Sequence, residues 1–310
     1  MALNWVKSAL VALIVIALAQ CASAGDLASL EPAGSTASAR RIVSLAPSNT
    51  ELLYSINADD CLLGVSTHCD YPPAAKNKEK VGTFTTVNLE RLAQLMPDAV
   101  LLVNGQEQLA DSIRRHNFNA VILNNDSLAQ IPANIRMLGS LTGRSDTAAE
   151  AADSLSRSLN QLAAIMGRIA WKPTVFYCVW PEPLLTVGGK SFLNEVITAT
   201  GGTNIAENMH SAYPQFSVER LVLANPDVVV LPYQARGQRF LSRPPWTYLG
   251  AVVHHHVYFL PEPAKDNLAR PTPRILDGLY WLAIRLHPEL VGRLTSWYDG
   301  TARKPANRSL

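Results

Sequence analysis

The chain has 310 residues, 48% of them hydrophobic and 17% charged, with a formal net charge of +2. That length gives roughly two domains of about 150 residues and enough chain for two cores. Near-neutral charge and only 7% aromatic residues exclude a basic stripe interleaved with stacking rings, so a nucleic-acid partner is not expected.

In chain order, Lys7 supplies a thin positive region, Ala9 to Ala19 is uncharged and mostly apolar, and Ala22-Ser23-Ala24 is an A-x-A cleavage signature. Residues 1–24 therefore read as a signal peptide, followed by a periplasmic chain. The apolar run falls short of the ~20 residues that span a bilayer. The alternative is a lipid anchor at Cys21, because Leu18-Ala19-Gln20-Cys21 resembles a lipobox, although Gln20 is bulky for that position. Without Cys21, three cysteines remain: Cys61, Cys69 and Cys178. Cys61 and Cys69 flank the extended run Leu62 to Ser66, which at about 3.3 Å per residue carries them beyond the ~7 Å reach of a disulfide. No structural disulfide is expected.

Residues 25–40 form a small, polar leader. Residues 41–145 read as an α/β lobe: Arg41 to Leu45, Leu62 to Ser66, Ala99 to Val103 and Ala120 to Leu123 are strands with helical periodicity between them. Ser48 to Glu51 fits a capping box opening the first helix. Residues 146–170 form one long linking helix, with Ser145 placed to cap it and Ala149, Ala152, Leu155, Leu159, Leu162 and Met166 on one stripe. A second α/β lobe covers 171–292, with strands at Thr174 to Val179, Asp227 to Leu231 and Val257 to Leu260. Its last helix is announced by Thr272 as N-cap and Pro273 as first helical residue. Residues 293–310 read as a polar tail. The fold class is α/β: two lobes with central, mainly parallel sheets, joined by a single long helix.

A diverged repeat supports two lobes of like construction. NLERLAQLMPDAVLLV at 88–103 aligns with SVERLVLANPDVVVLP at 217–232, with seven of sixteen positions identical. Glu90 and Glu219 fall at matched places in the first helical turn, off the apolar stripe. Either macrodipole stabilisation or a shared function explains them.

Catalytic signatures are missing: the chain has no G-x-S-x-G elbow and no H-E-x-x-H helix. Gly189-Lys190-Ser191 lacks the first glycine of a phosphate loop, since Leu184 stands there. His254-His255-His256 reads as a solvated turn before a strand. In a parallel α/β sheet, loops at the carboxyl ends of strands line ligand crevices. Ser48 and Asn49 follow the first strand; His68, Asp70 and Tyr71 follow the second. Asp266, Arg270 and Arg274 lead into the last long helix. Each of these is either crevice lining or an ordinary turn.

At these residues the sequence resembles the periplasmic cobalamin-binding proteins and their iron-chelate and haem-binding relatives. RIVSLAPSNTELLYSI, GVSTHCDYPP with VGTFTTVNLERL, YPQFSVERL and RPTPRI carry the resemblance, from about residue 41 to 290. It implies two α/β lobes on one rigid helix, with the ligand held between them and only modest closure. It also implies that Glu90 and Glu219 dock onto arginines of an ABC permease. Phe84 matches an aromatic cleft residue, His68 stands where the cobalamin binder has tyrosine, and Asp266 and Arg274 match polar cleft positions. The ligand-binding set is thus Ser48, Asn49, His68, Tyr71, Phe84, Trp246, Asp266, Arg270 and Arg274. Phe84 and Trp246 would form an aromatic wall suited to cobalamin, a large amphipathic ligand. The expected protein is a monomeric, non-enzymatic carrier with no cofactor of its own, handing its ligand to the permease. Haem or a ferric siderophore is the alternative ligand, with His68 or Tyr71 on iron. An exported metal-dependent hydrolase built on His68, Asp70 and the histidine run is the reading from another class.

Overall fold

Short β-branched runs alternating with amphipathic helices close the first lobe around a parallel sheet. The computed structural model describes residues 38–237 and 239–301. The expected signal peptide, Cys21 and the leader up to residue 37 lie outside the described residues, as do 302–310. Strands β1 (Ile42–Ser44), β2 (Leu62–Ser66), β3 (Glu79–Gly82), β4 (Ala99–Val103) and β5 (Ala120–Leu123) lie in the order β3-β2-β1-β4-β5, every neighbouring pair parallel. All residues of β1 and β4 are buried, as a strand covered on both faces requires. Helices α1 (Pro47–Ser55), α2 (Leu89–Leu95) and α3 (Glu107–Arg115) make the crossovers. The order reverses between β1 and β4, so the loops leaving their carboxyl ends diverge and open a crevice there.

α4 (Gln130–Thr142) ends at Gly143, whose φ of 70° suits a residue without a Cβ. The linking helix α5 (Ser145–Met166) follows at once, 22 residues or about 33 Å long. It buries Ala148, Ala152, Leu155, Ser158, Leu162 and Met166. The stripe is turned slightly from expectation: Ala149 and Leu159 are half-buried flanks. Ser145 is the first helical residue and forms no side-chain cap.

In the second lobe β6 (Thr174–Pro181) is the central strand. It pairs in parallel with β8 (Thr203–Asn204) and β9 (Val228–Pro232) and antiparallel with β7 (Leu184–Thr186), while β10 (Val257–Leu260) continues the sheet beyond β9. The helices are α6 (Phe192–Ala199), α7 (Val218–Ala224), α8 (Gly250–Val253), α9 (Glu262–Ala269), α10 (Ile275–Leu286) and α11 (Val291–Asp299). The last corrects the polar tail. Leu294, Trp297 and Tyr298 share one buried face; Trp297 Nε1 donates to the Ser158 carbonyl at 2.8 Å, and Tyr298 stacks on Tyr280 at 4.4 Å. Three apolar residues within five positions were enough to fold the segment onto α5 and α10.

The expectation of two separate cores is also corrected. The largest buried apolar cluster runs from Ile42, Leu52 and Leu101 through Leu155, Leu162 and Met166 to Val175, Ile197 and Leu279. Each lobe adds a satellite cluster on the other face of its sheet. Spreading the lobes widely would expose this shared apolar surface, at about 25 cal/mol per Å².

The repeat is reproduced in local detail. Asn88 caps α2 by accepting from the Arg91 amide, and Ser217 caps α7 by accepting from Arg220. Both helices end in a left-handed residue, Met96 at φ 42° and Asn225 at φ 40°. The aspartates of the two Pro-Asp turns then do the same work. Asp98 accepts from the Arg40 and Arg41 amides, and Asp227 accepts from the amide and hydroxyl of Thr174. Each anchors the entry to its lobe's central strand.

Candidate ligand-binding cleft

Glu51 is the residue around which the two lobes meet. It lies on the second turn of α1, just beyond the carboxyl end of β1. The capping box expected of it does not form. Pro47 occupies the first helical position, Ala46 caps without a side-chain bond, and the Glu51 carboxylate turns to the second lobe. Arg274 grips it bidentately, with Nε to Oε2 at 2.8 Å and Nη2 to Oε1 at 2.6 Å. Arg270 Nη1 donates to the same Oε1 at 3.0 Å and to Asp70 Oδ1 at 2.7 Å. Its Nη2 lies 3.1 Å from Asp266 Oδ2. Arg274 Nη1 donates to Asn267 at 2.8 Å, and its guanidinium lies over the Tyr71 ring, 3.7 Å from the centroid. Bidentate, charge-assisted bonds of this kind fix orientation as well as distance.

The electrostatics follow from unequal burial. Burial alone would raise the Asp70 carboxyl, but the Arg270 hydrogen bond and charge outweigh it and hold the group below its ordinary range. Asp266 goes the other way: burial pushes it up, and the charge of Arg270 only partly offsets this. Arg270 is destabilised as a cation by burial, yet its bonds to Asp70 and Glu51 more than compensate and raise it further.

Phe84 is held at the carboxyl end of the first sheet by its turn and by Gln106, which also reaches the Leu45 carbonyl after β1. Thr83 Oγ1 accepts from the amides of Thr85 and Thr86, forming a tight turn. A Cβ at Gly82 would overlap the Thr86 carbonyl, so only glycine permits the chain to fold back there. Gln106, buried at the carboxyl end of β4, then accepts from the Val103 amide at 2.9 Å and donates to the Phe84 carbonyl at 2.5 Å. The Phe84 ring and Tyr71 are left exposed.

Of the sequence-predicted set, Tyr71, Asp266, Arg270 and Arg274 converge on one cluster with Glu51 and Asp70. His68 is exposed on the loop leading to it, and its Nδ1 is 3.4 Å from Thr67 Oγ1. Two expectations, Asn49 and Trp246, are corrected. Asn49 is buried, and its Nδ2 donates to the Leu102 carbonyl at 2.9 Å, stitching α1 to β4. Ser48, beside it, is buried too. Trp246 is no cleft wall: it is buried in the second-lobe core with Leu249, Ala251 and Phe176. The loop after β9 turns its indole inward, where the apolar area is covered. The histidine run is an exposed turn. Among the described residues no group of three or more His, Cys, Asp or Glu is placed to hold a metal ion.

Sequence reasoning missed four residues. Glu51 carried a signal: an acid wedged against Leu52 and Leu53 in a helix buried along most of its length must find a cation. Gln106 carried none. Trp180 in β6 and Tyr233 directly after β9 are exposed rings at the carboxyl edge of the second sheet, and that position was the available signal.

A separate cavity of about 620 Å³ lies between α5, the start of α4 and α6. It shares none of its lining residues with the arginine cluster. Glu195 borders it, accepting from the Leu128 amide at 2.8 Å, and burial raises its carboxyl. Cys61, Cys69 and Cys178 are buried free thiols; Thr50 Oγ1 lies 3.2 Å from the Cys69 sulfur. Burial pushes the Cys178 thiol up to about 12, which makes it inert. Among the described residues no helix is long and apolar enough to cross a membrane.

Two α/β lobes on one long helix, bridged at the strand ends by a polar cluster, are the architecture of a solute-binding protein. Residues 42–264 match the periplasmic binding protein family, and the chain belongs to it. Its members are substrate-binding proteins of ABC transporters and not enzymes. The chain is 31% identical over 258 residues to an uncharacterised ABC transporter substrate-binding lipoprotein, YvrC, of Bacillus subtilis, covering 81% of each. It is 30% identical over 243 residues to the vitamin B12-binding protein of Vibrio campbellii, covering 78% of this chain and 87% of that one. The crystal structure of the periplasmic vitamin B12-binding protein BtuF of Vibrio cholerae superposes with a TM-score of 0.74 at 28% identity, over 81% of this chain and 97% of that one.

Proposed function

We propose that this protein captures cobalamin in the periplasm at the cleft between its lobes and hands it to an ABC permease, without covalent chemistry. The observation that carries the reading is an exposed ring, Tyr71, packed on a polar cluster drawn from both lobes. A flat, amphipathic chelate needs such a surface: apolar faces for the macrocycle and fixed polar groups for its amide rim. The vitamin B12-binding relatives support the same ligand. Glu90 and Glu219 would dock to the permease. Both are exposed in the first turn of matched helices, and among the described residues neither is in an ion pair.

Calorimetry of the mature chain with cyanocobalamin tests this directly, with one site per chain expected. The absorption spectrum of protein purified from its own host adds a second readout. Corrinoid bands support the reading. Haem bands, with His68 as the exposed candidate iron ligand, replace it.

A further inference from the structure

The charge of the acceptable ligand is written in the arginine cluster, an inference that rests on the cleft being the ligand site. Arginines at a ligand cleft ordinarily receive anions. In the structure each already holds acceptors: Arg270 binds Glu51, Asp70 and Asp266, and Arg274 binds Glu51 and Asn267. One face of the Arg274 guanidinium is covered by Tyr71. Exposure runs opposite to the usual anion site. The arginine side chains are 16% and 10% exposed, while Asp70 is 48% and Asp266 29% exposed. Three carboxylates meet two guanidiniums, so the cluster carries one excess negative charge. Lys76 and Lys265 act on Asp70 and Asp266 from the flanks, and Lys265 is itself paired with Glu262.

We infer that the cleft selects chelates of neutral or positive net charge and disfavours those of net negative charge, with Asp70 and Asp266 as the specificity-determining residues. An incoming anion meets the two aspartates first. It reaches a guanidinium only by displacing a carboxylate already bound there, which leaves that carboxylate unpaired.

The probes are cyanocobalamin and its monocarboxylates, in which one peripheral amide is hydrolysed: nearly the same shape with one added negative charge. Both are titrated calorimetrically into the full mature chain and into D70N/D266N, at low and high salt. Wild type is expected to bind the monocarboxylates about tenfold more weakly than the parent, with the difference narrowing in high salt and shrinking about threefold or more in the double variant. If the double variant does not fold, Asp70→Asn, at the more exposed position, carries the comparison. Monocarboxylates binding as tightly as the parent, or an affinity ratio unmoved by the substitutions, overturn the inference and leave the cobalamin reading standing. If neither corrinoid binds, the cobalamin reading falls, and haemin is compared with its neutral dimethyl ester. The charge inference then stands if the ester binds more tightly and fails if haemin does or if neither binds.

Discussion

The helix–turn–strand unit at 88–103 and its partner at 217–232 match down to cap, left-handed residue and anchoring aspartate, yet the charges on the edges their lobes turn toward each other differ. The first lobe offers Glu51, Asp70 and two exposed rings. The second offers two arginines that accept the first lobe's charge. Repeated parts are those governed by neighbours in sequence: a capping side chain three residues from its amide, a turn residue free to take positive φ. The parts that differ are governed by partners some 200 positions away, such as Arg270 and Asp70. A duplicated scaffold can thus be kept while its facing edges specialise.

The largest expected effect comes from breaking the contact across the two lobes. Glu51→Ala leaves two buried guanidiniums short of their shared carboxylate and should destabilise the chain by about 3–5 kcal/mol. Urea unfolding measures it; a loss below about 1 kcal/mol would mean that water or Asp70 replaces the carboxylate.

Next come the two aromatic residues that looked alike in sequence. Trp246→Ala empties part of the second-lobe core and should cost about 3–5 kcal/mol. Phe84→Ala should barely move the unfolding midpoint but weaken ligand binding. Thermal melts and calorimetry on both variants separate core from cleft, and a reversed pattern would return Trp246 to the binding surface.

The two aspartates flanking Arg270 sharpen the comparison by pH. Asp70 has a depressed pKa, so its stabilisation is fully present above its unfolded value near 4 and is lost as pH falls through the folded one. Asp266 has a raised pKa, so its contribution is fully present below the unfolded value and is lost as pH rises through the folded one. At pH 7, Asp70→Asn should therefore destabilise more than Asp266→Asn. By pH 3 the difference should shrink, read from denaturant midpoints at the two pH values.

The smallest effect on the isolated protein is expected at the matched glutamates. Reversing both Glu90 and Glu219 to Lys should leave the melting temperature and ligand affinity near wild type while abolishing uptake in cells carrying the transporter. Normal uptake would remove the docking role, and so would loss of ligand binding large enough to account for the defect.

The fold class was legible because its signals are local. The apolar runs at 62–66, 99–103 and 257–260 became strands within a residue or two, and the linking helix was recognisable from its stripe. Strands β3, β7 and β8 were not: β3 is half charged, and β7 and β8 are only three and two residues long. The helix at 291–299 is hard to read because its three buried apolar residues sit among polar ones, and only α5 and α10 give them something to pack against. Within the cleft, Phe84 came from the family resemblance, Asp266, Arg270 and Arg274 from their place ahead of the last long helix, and Tyr71 from its place after a strand. Trp246 has the same kind of place and faces inward.

By itself the sequence determined the α/β alternation, the doubled helix–turn–strand unit and the long joining helix, because periodicity, caps and turn residues act over a few positions. Tertiary structure alone decided that Glu51 would leave its own helix end for two arginines, that Gln106 would hold the Phe84 loop, and that one apolar core would run through both lobes. Those outcomes depend on which surfaces meet after folding, where burying a carboxylate without a cation or a ring without neighbours costs more than any local preference can return.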